Sequence, residues 1–354
     1  VVTAAIPVPR DLPDLTPPLL TAAIRSRCPG AVVGEIAIGD IADGTNRRAA
    51  IRLTYAEGSG PGSVFVKVHG RRLHRLALLA LRAWATEALL AGSGAARPLE
   101  HPEPFAAAVD RRRLATIVVM DDVTTYGGAP NDGVAALTVG QVRDGLAGLA
   151  RLHAAYWDRP LPPALRFLEP WRLTRTWAPV SGANLMNGLR KLRHIDETIA
   201  PPGATVRALE YQFRQSAVRA ATGPQTVLHG DAHPANTYAL PHDRTGFLDW
   251  QLARTGNWAH DVGYFIAGSL DIEVRREHER ALLGGYLESL AESGVEAPSA
   301  DEAWRRYRAT PAYGLATWLH TLSAGSFQPL DTCLATIRRY SAAYADLETA
   351  REFS

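Results

Sequence analysis

The sequence predicts an α+β protein in two lobes: a small five-stranded antiparallel sheet with one long helix, then a larger, mainly helical lobe. Three observations carry this expectation. At 354 residues the chain is too long for the usual single core. Its first third alternates apolar and polar side chains at the period of strands, with turn residues between the runs. Beyond a stretch at 121–130 that holds Gly127, Gly128 and Pro130, the apolar spacing is overwhelmingly helical. The expected division is therefore a lobe at 1–120, a linker at 121–130 and a second lobe at 131–354.

Pro7, Pro9, Pro13, Pro17 and Pro18 punctuate an N-terminal arm that leads into a short helix, Leu19 to Arg27. Ala31 to Ile38 is mostly apolar and forms the first strand. Ala49 to Tyr55 alternates as a half-buried strand does, and Ser63 to Val68 is a third. The turn-rich stretches 39–46 and 57–62 join these three into an antiparallel meander. Residues 71–92 change to helical spacing, with Leu76, Leu79, Ala80, Ala83 and Glu87 near one face of one long helix that Gly92 and Gly94 stop. Strands near 105–109 and 115–120 complete the five. After the linker, Thr138 caps a helix running to about Trp157, with Val142, Leu146, Leu149 and His153 on one stripe. An insertion at 160–202, containing prolines and tryptophans, precedes a helix at Val206–Ala221. A loop–strand–loop break follows, and three long helices occupy roughly 273–292, 301–323 and 331–350.

Composition excludes several classes. The formal net charge is +2, which supplies no basic face and argues against nucleic acid as a partner. Cys28 and Cys333 are the only cysteines, so neither a disulfide framework nor a metal-type cysteine spacing exists, and a reducing compartment is expected. The most apolar run, Leu76 to Leu90, is broken by Arg82 and Glu87, short of the roughly eighteen clean apolar residues of a membrane span. No basic region precedes the apolar start, so no signal peptide is expected and the default is a cytoplasmic enzyme.

The chemistry concentrates in His229-Gly230-Asp231-Ala232-His233-Pro234-Ala235-Asn236, followed by Asp249-Trp250. Asp231 and Asn236 are five residues apart behind the apolar Val227-Leu228. In a kinase catalytic loop that spacing sets an aspartate to accept the substrate hydroxyl's proton and an asparagine to hold magnesium. Magnesium takes oxygen ligands and keeps some waters, so one or two protein groups suffice; Asn236 and Asp249 supply them. An isolated aspartate at such a turn would ordinarily be a cap. His229 and His233, four apart with Asp231 between them, also suit a transition metal, which would make the protein a metal-dependent hydrolase. That reading leaves Asn236 and Asp249 unexplained, and hydrogen bonding that stabilises the loop accounts for both histidines.

The first lobe offers the parts a nucleotide needs. Lys67 lies in the apolar strand Val64-Phe65-Val66-Lys67-Val68, on the face opposite Val66 and Val68, where it must meet a charge or a cleft. An ion pair with Glu87 would aim it at the phosphates. The turn Asp43-Gly44-Thr45-Asn46 can present backbone N–H groups to phosphates, although any hairpin would use such residues. Val119-Met120-Asp121-Asp122 enters the linker, where its backbone can meet an adenine edge with Met120 packed nearby.

On these segments, and on Leu149-Ala150-Arg151-Leu152-His153-Ala154, the chain resembles the aminoglycoside phosphotransferase and choline kinase superfamily, within it the ecdysteroid-kinase-like small-molecule kinases. The likeness spans about residues 40 to 265. It implies a bilobal protein-kinase-like fold that uses ATP or GTP with Mg2+. Asp231 would be the base, Asn236 and Asp249 the magnesium ligands, and Lys67 the phosphate contact. It also implies that Asp261, in His260-Asp261-Val262-Gly263, braces the loop from the next helix. Asp121 stands where a glutamate is more usual, and no separate activation loop follows Asp249, which argues against a protein substrate.

The acceptor would be a hydroxylated small molecule such as an antibiotic, sugar, sterol or amino alcohol, lying over Asp231 and walled in part by the insertion. Phe167, Trp171 and Trp177 can stack on a ring, beside Arg172 and Arg175. The sparse acidic residues there (Glu169, Asp196, Glu197) favour a neutral or mildly polar acceptor over a polycation. A third possibility keeps the fold and the nucleotide but not the turnover: a silent kinase-like binding protein.

Overall fold

The computed structural model describes residues 6–170, 178–201, 203–325 and 327–354. Helix α1 (Pro17–Ile24), capped by Thr16, packs under a twisted antiparallel sheet. Strand β1 (Val32–Ile38) is followed by the two-residue strand β2 (Ala42–Asp43), which folds back on β3 (Asn46–Glu57). With β4 (Ser63–His69), β1 and β3 form the expected meander. Strands β5 (Pro104–Asp110) and β6 (Ala115–Asp121) complete the sheet, in the order β1-β3-β4-β6-β5. The hairpin returns β6 to the inside, next to β4. The apolar run of β6 suits an interior strand, and Pro104 suits the start of an edge strand.

The two faces of the sheet bury different things. Val64, Val66 and Val68 point with Ile51, Leu53 and Val119 toward α1. Phe65 points the other way, with Val118 and Met120. That second face is covered by helices, but not by one long helix. The 71–92 segment is divided into α2 (Arg72–Ala80) and α3 (Thr86–Gly92). Arg82 adopts φ 56°, and the amides of Arg82 and Ala83 bond back to the carbonyls of Leu79 (3.0 Å) and Leu78 (2.8 Å). This closure normally uses glycine, so an arginine there hides the stop from the sequence. The break leaves Leu76 and Leu79 exposed, at 56% and 41%, and lets α3 carry Glu87 inward on its own axis.

At the end of the 121–130 stretch, strand β7 (Ala129–Pro130) leads to α4 (Val139–Tyr156), where Thr138 and Gln141 form a capping box. Helix α5 (Ala178–Asp196) lies within the expected insertion, and α6 (Val206–Ala220) follows. Four short strands then frame the motif: β8 (Thr226–Leu228), β9 (Thr237–Leu240), β10 (Arg244–Phe247) and β11 (Arg254–Gly256). They build two small sheets, β10-β9-β7 and β11-β8. Helix α7 (Ala259–Ser269) is buried on every side. Around it pack α8 (Ile272–Glu292), α9 (Ala300–Ala324) and α10 (Leu330–Asp346). The last helix ends before 350 because the chain turns at Glu348, φ 48°, into a short 3-10 segment. Among the described residues no helix is long and apolar enough to cross a membrane.

Candidate functional site

Strand β8 delivers the chain to His229, and α7 meets it there. Asp261 accepts hydrogen bonds from the backbone N–H of His229 (2.7 Å) and of Gly230 (2.9 Å). His153 of α4 approaches the same carboxylate at 3.3 Å. Burial alone would raise the Asp261 carboxyl, but the bond from His153 and the surrounding histidines outweigh it and hold it below the usual range. Gly230 has φ +82°, and a Cβ there would meet the Leu252 carbonyl oxygen at 2.1 Å, so no larger residue fits.

His229 closes the loop from the other side. Its Nδ1 accepts the Asp231 N–H (3.3 Å), which assigns the ring proton to Nε2, donated to the Leu248 carbonyl at 2.8 Å. Burial pushes its pKa down, so the ring is neutral and both nitrogens are engaged. Asn236 Nδ2 donates to Asp231 Oδ2 (3.1 Å) and to the Asp231 carbonyl (3.0 Å). His233 Nε2 lies 3.6 Å from the same Oδ2, and its ring packs edge-on against Trp318. Burial opposes ionisation of Asp231, but His233 and the neighbouring cations win, and its carboxyl lies below the ordinary value. Oδ1 has no hydrogen bond among the described residues.

The hairpin β9–β10 brings Asp249 beside this loop in a left-handed backbone conformation, φ 59°. Across the cleft, Lys67 Nζ bonds Glu87 Oε1 at 2.8 Å and lies 3.5 Å from Asp249 Oδ2. Burial works against the lysine's charge, yet Asp249 and Glu87 hold its pKa above normal. Asp249 is pulled down against its own burial, chiefly by Lys67 and Arg48. Glu87 is pushed up by burial despite Lys67, and its Oε1 also accepts the Trp250 N–H at 3.3 Å. The structure thus brings Lys67, Glu87, Asp231, Asn236 and Asp249 together from both lobes.

The other expected nucleotide contacts are less uniform. In the β2–β3 turn, Thr45 lines the cleft, whereas Asp43 pairs with Arg71 Nη2 at 2.8 Å. Gly44 N–H bonds the Asn46 carbonyl at 3.2 Å. Asp121 is engaged elsewhere: its N–H donates to the Glu103 carbonyl (3.0 Å) and its carboxylate meets Arg27 (2.9 Å). Asp122 accepts from Ser63 Oγ (2.7 Å) and caps the following 3-10 turn through Thr124. Val119 packs on the α1 side and Met120 against α3. None of Val119, Met120, Asp121 or Asp122 lines the cavity over Asp231.

That cavity is about 250 Å³. Its floor is Asp231, Asn236 and Asp249; its walls include Phe213, Tyr264, Tyr313 and Trp318; α2 roofs it with Ala77 and Leu78. Arg254, which bonds the Leu252 carbonyl at 2.8 Å, and Asn184 of the insertion also line it. Sequence reasoning missed these residues. On α9 the cavity-facing positions 313, 317, 320, 321 and 324 repeat at helical spacing, which looks the same as a core stripe. Of the expected wall, Trp171, Arg172, Arg175 and Trp177 lie outside the described residues, and Phe167 packs on the helical core.

Solved structures share this fold. Spectinomycin phosphotransferase, solved with ADP and spectinomycin, matches 95% of this chain and 99% of its own at TM-score 0.52 and 13% identity. Choline kinase from Cryptosporidium parvum matches 88% and 89% at TM-score 0.52 and 11% identity. The fold is kinase-like. It is the fold of the aminoglycoside phosphotransferase and choline kinase superfamily, as the motif residues implied. Residues 183–296 match the model of the Ecdysteroid kinase-like family, a segment that holds Asp231, Asn236, Asp249 and Asp261. By sequence the chain is similar to homoserine kinases of Brucella. It is 29% identical to that of Brucella canis over 215 residues, covering 58% of this chain and 60% of the relative. It is 30% identical to that of Brucella melitensis biotype 1 over 201 residues, covering 54% and 56%. The chain spans about 60% of the length of the first of these relatives.

Proposed function

We propose that this protein is an ATP- and Mg2+-dependent O-phosphotransferase that moves the γ-phosphoryl group to a hydroxyl of a small molecule, with Asp231 as base. The observation that carries the reading is the Lys67–Glu87 pair standing 3.5 Å from Asp249, over the loop that holds Asp231 and Asn236. In this division of labour, residues 1–120 hold the nucleotide (ATP, or GTP in its place), 121–130 are the hinge, and 131–354 hold the acceptor.

Asp231 Oδ1 accepts the acceptor's proton, while Asn236 fixes the carboxylate through Oδ2. Its lowered pKa keeps it ionised at neutral pH. Lys67 holds the phosphates, and Glu87 keeps it from collapsing onto Asp249. The donor set suits Mg2+: the amide oxygen of Asn236 and the carboxylate of Asp249 are hard oxygens on adjacent loops. When bound, the ion would neutralise charge on the phosphate oxygens. His229 and Asp261 support the loop from behind, while His233 stands beside Asp231 Oδ2 and also lines the cavity.

Two rivals fare worse. A hydrolase using His229, Asp231 and His233 needs a free imidazole nitrogen, but both nitrogens of His229 are engaged. Among the described residues no group of three His, Cys, Asp or Glu is placed to hold a metal. A silent binding protein would be expected to lack a reacting group, and none is missing.

The cavity's aromatic walls, and the absence among the described residues of lining carboxylates other than Asp231 and Asp249, favour a neutral or mildly polar hydroxylated acceptor over a polycation. A nucleotide-dependent reaction suits the cytoplasm, where the nucleotide is available, and we assign it there. A screen of ADP release across sugars, aminoglycosides, macrolides, choline-like amines and sterols tests this. Mg2+-dependent release with a neutral alcohol is expected. Stoichiometric zinc in the purified protein, with hydrolysis and no ADP release, would contradict it.

A further inference from the structure

A second concavity, of about 660 Å³, lies on the sheet lobe away from Asp231. Four segments converge on it: the N-terminal arm with Arg10, the end of β4 with His69, the outer face of α2 with Arg75, and the β5–β6 turn with Arg112 and Arg113. Among the described residues no acidic side chain lines it. Arg113 is partly neutralised by Asp110. Among the described residues, the guanidinium groups of Arg10 and Arg112 have no ion-pair partner. Arg75 spends Nη1 on the Arg113 carbonyl (2.8 Å) and leaves a buried Nε without a hydrogen bond. Burial lowers the pKa of His69, and Arg75 and Arg113 push it the same way, so the positive field reaches into the concavity.

The guanidinium groups of Arg10 and Arg112, with Arg75 and the partly neutralised Arg113 beside them, match the several oxygens of a multiply charged phosphate. The positive surface is compact, which suits a small molecule rather than a nucleic acid. Its position is informative too. Arg75 faces this concavity, while Ala77 and Leu78, on the next turn of α2, line the acceptor cavity. His74 joins the same helix to Phe327 of the helical lobe, ring centroids 5.3 Å apart. A ligand that fixes Arg75 therefore fixes the roof of the acceptor site, and linkage makes the effect reciprocal.

We propose that this concavity is a second binding site, for a polyphosphorylated small molecule, whose occupancy is transmitted to the acceptor cavity through α2. The test titrates inorganic tripolyphosphate into the full chain by calorimetry at fixed ionic strength, using Lys67→Ala to disable the nucleotide's phosphate site. Lys67→Ala should still bind tripolyphosphate. Adding Arg10→Ser and Arg112→Ser, both on the surface, should weaken that binding at least about tenfold, the scale of losing charge-assisted contacts. Loss of all binding in Lys67→Ala alone, or unchanged binding in the triple variant, would overturn the site. Amide exchange over residues 74–81 should slow when tripolyphosphate binds; unchanged exchange would overturn the link through α2. A single-stranded oligonucleotide that bound more tightly than tripolyphosphate at equal phosphate concentration would overturn the ligand class.

Discussion

The loop at 229–236 and the turn at 43–46 face one cleft from opposite sides, yet they are held very differently. In the loop, buried side chains meet successive backbone amides: Asp261 takes those of His229 and Gly230, and His229 takes that of Asp231. In the turn, Gly44 has one weak backbone bond, and Asp43 pairs with the well-exposed Arg71. The difference teaches where precision is needed. A group that accepts a proton must be fixed before the reaction. A turn that covers flexible phosphates gains from yielding.

Under the proposed chemistry, the largest effect comes from the rigid side. Asp231→Asn keeps size and most hydrogen bonding but removes the proton acceptor, and should lower kcat by about 10²–10⁴-fold. Asp261→Ala strips two buried amides and His153 of their acceptor. It should cost about 3–5 kcal/mol in urea denaturation, the scale of breaking a buried charged network. Lys67→Ala should raise the KM for nucleotide by about tenfold to a hundredfold, the scale of one hydrogen bond to a charged group, while the chain still folds. Burial already pushes the Glu87 carboxyl up, so it can take a proton when the lysine is gone.

A pH series probes the packing behind the loop. Burial lowers the pKa of His101, His260 and His320 to about 4. As pH falls, the unfolded chain protonates these groups near the ordinary histidine value of 6.5, before the folded chain does. Stability from them is fully present above pH 6.5 and declines as pH falls toward 4. Each contributes a slope of up to about 1.4 kcal/mol per pH unit. The urea midpoint should follow that sign; a midpoint that rises on acidification to pH 5 would contradict the buried neutral rings. The smallest effect belongs to the yielding side: Thr45→Ala should shift stability by no more than about 0.5 kcal/mol, and thermal melting would read it.

What the sequence shows follows from how local each cause is. Asp231, Asn236 and Asp249 are legible because their spacing along one loop and one hairpin sets their geometry. Lys67 is legible because a cation in an apolar strand must be met by something, and Glu87 meets it. The break between α2 and α3 is not legible, because Arg82 takes a backbone conformation that ordinarily marks glycine. The order of β5 and β6 depends on which strand fills the interior, a property of the whole sheet. The cavity walls are hidden for a different reason: Tyr313 and Trp318 come from α9 and Phe213 from α6, and each looks like core until the helices pack. Asp121 and Asp122 are expected at the nucleotide through their backbone; what the sequence hides is that their side chains pair with Arg27 and cap at Thr124.

The central claim is that proton acceptance belongs to Asp231 while nucleotide binding belongs to the opposite lobe. Its most direct test is ATP affinity and ADP release measured on one preparation of Asp231→Asn, with Mg2+ and an acceptor active with the parent chain. ATP affinity within about twofold of the parent, with release reduced by the factor given above, is the predicted result. Near-normal release from Asp231→Asn would contradict the account.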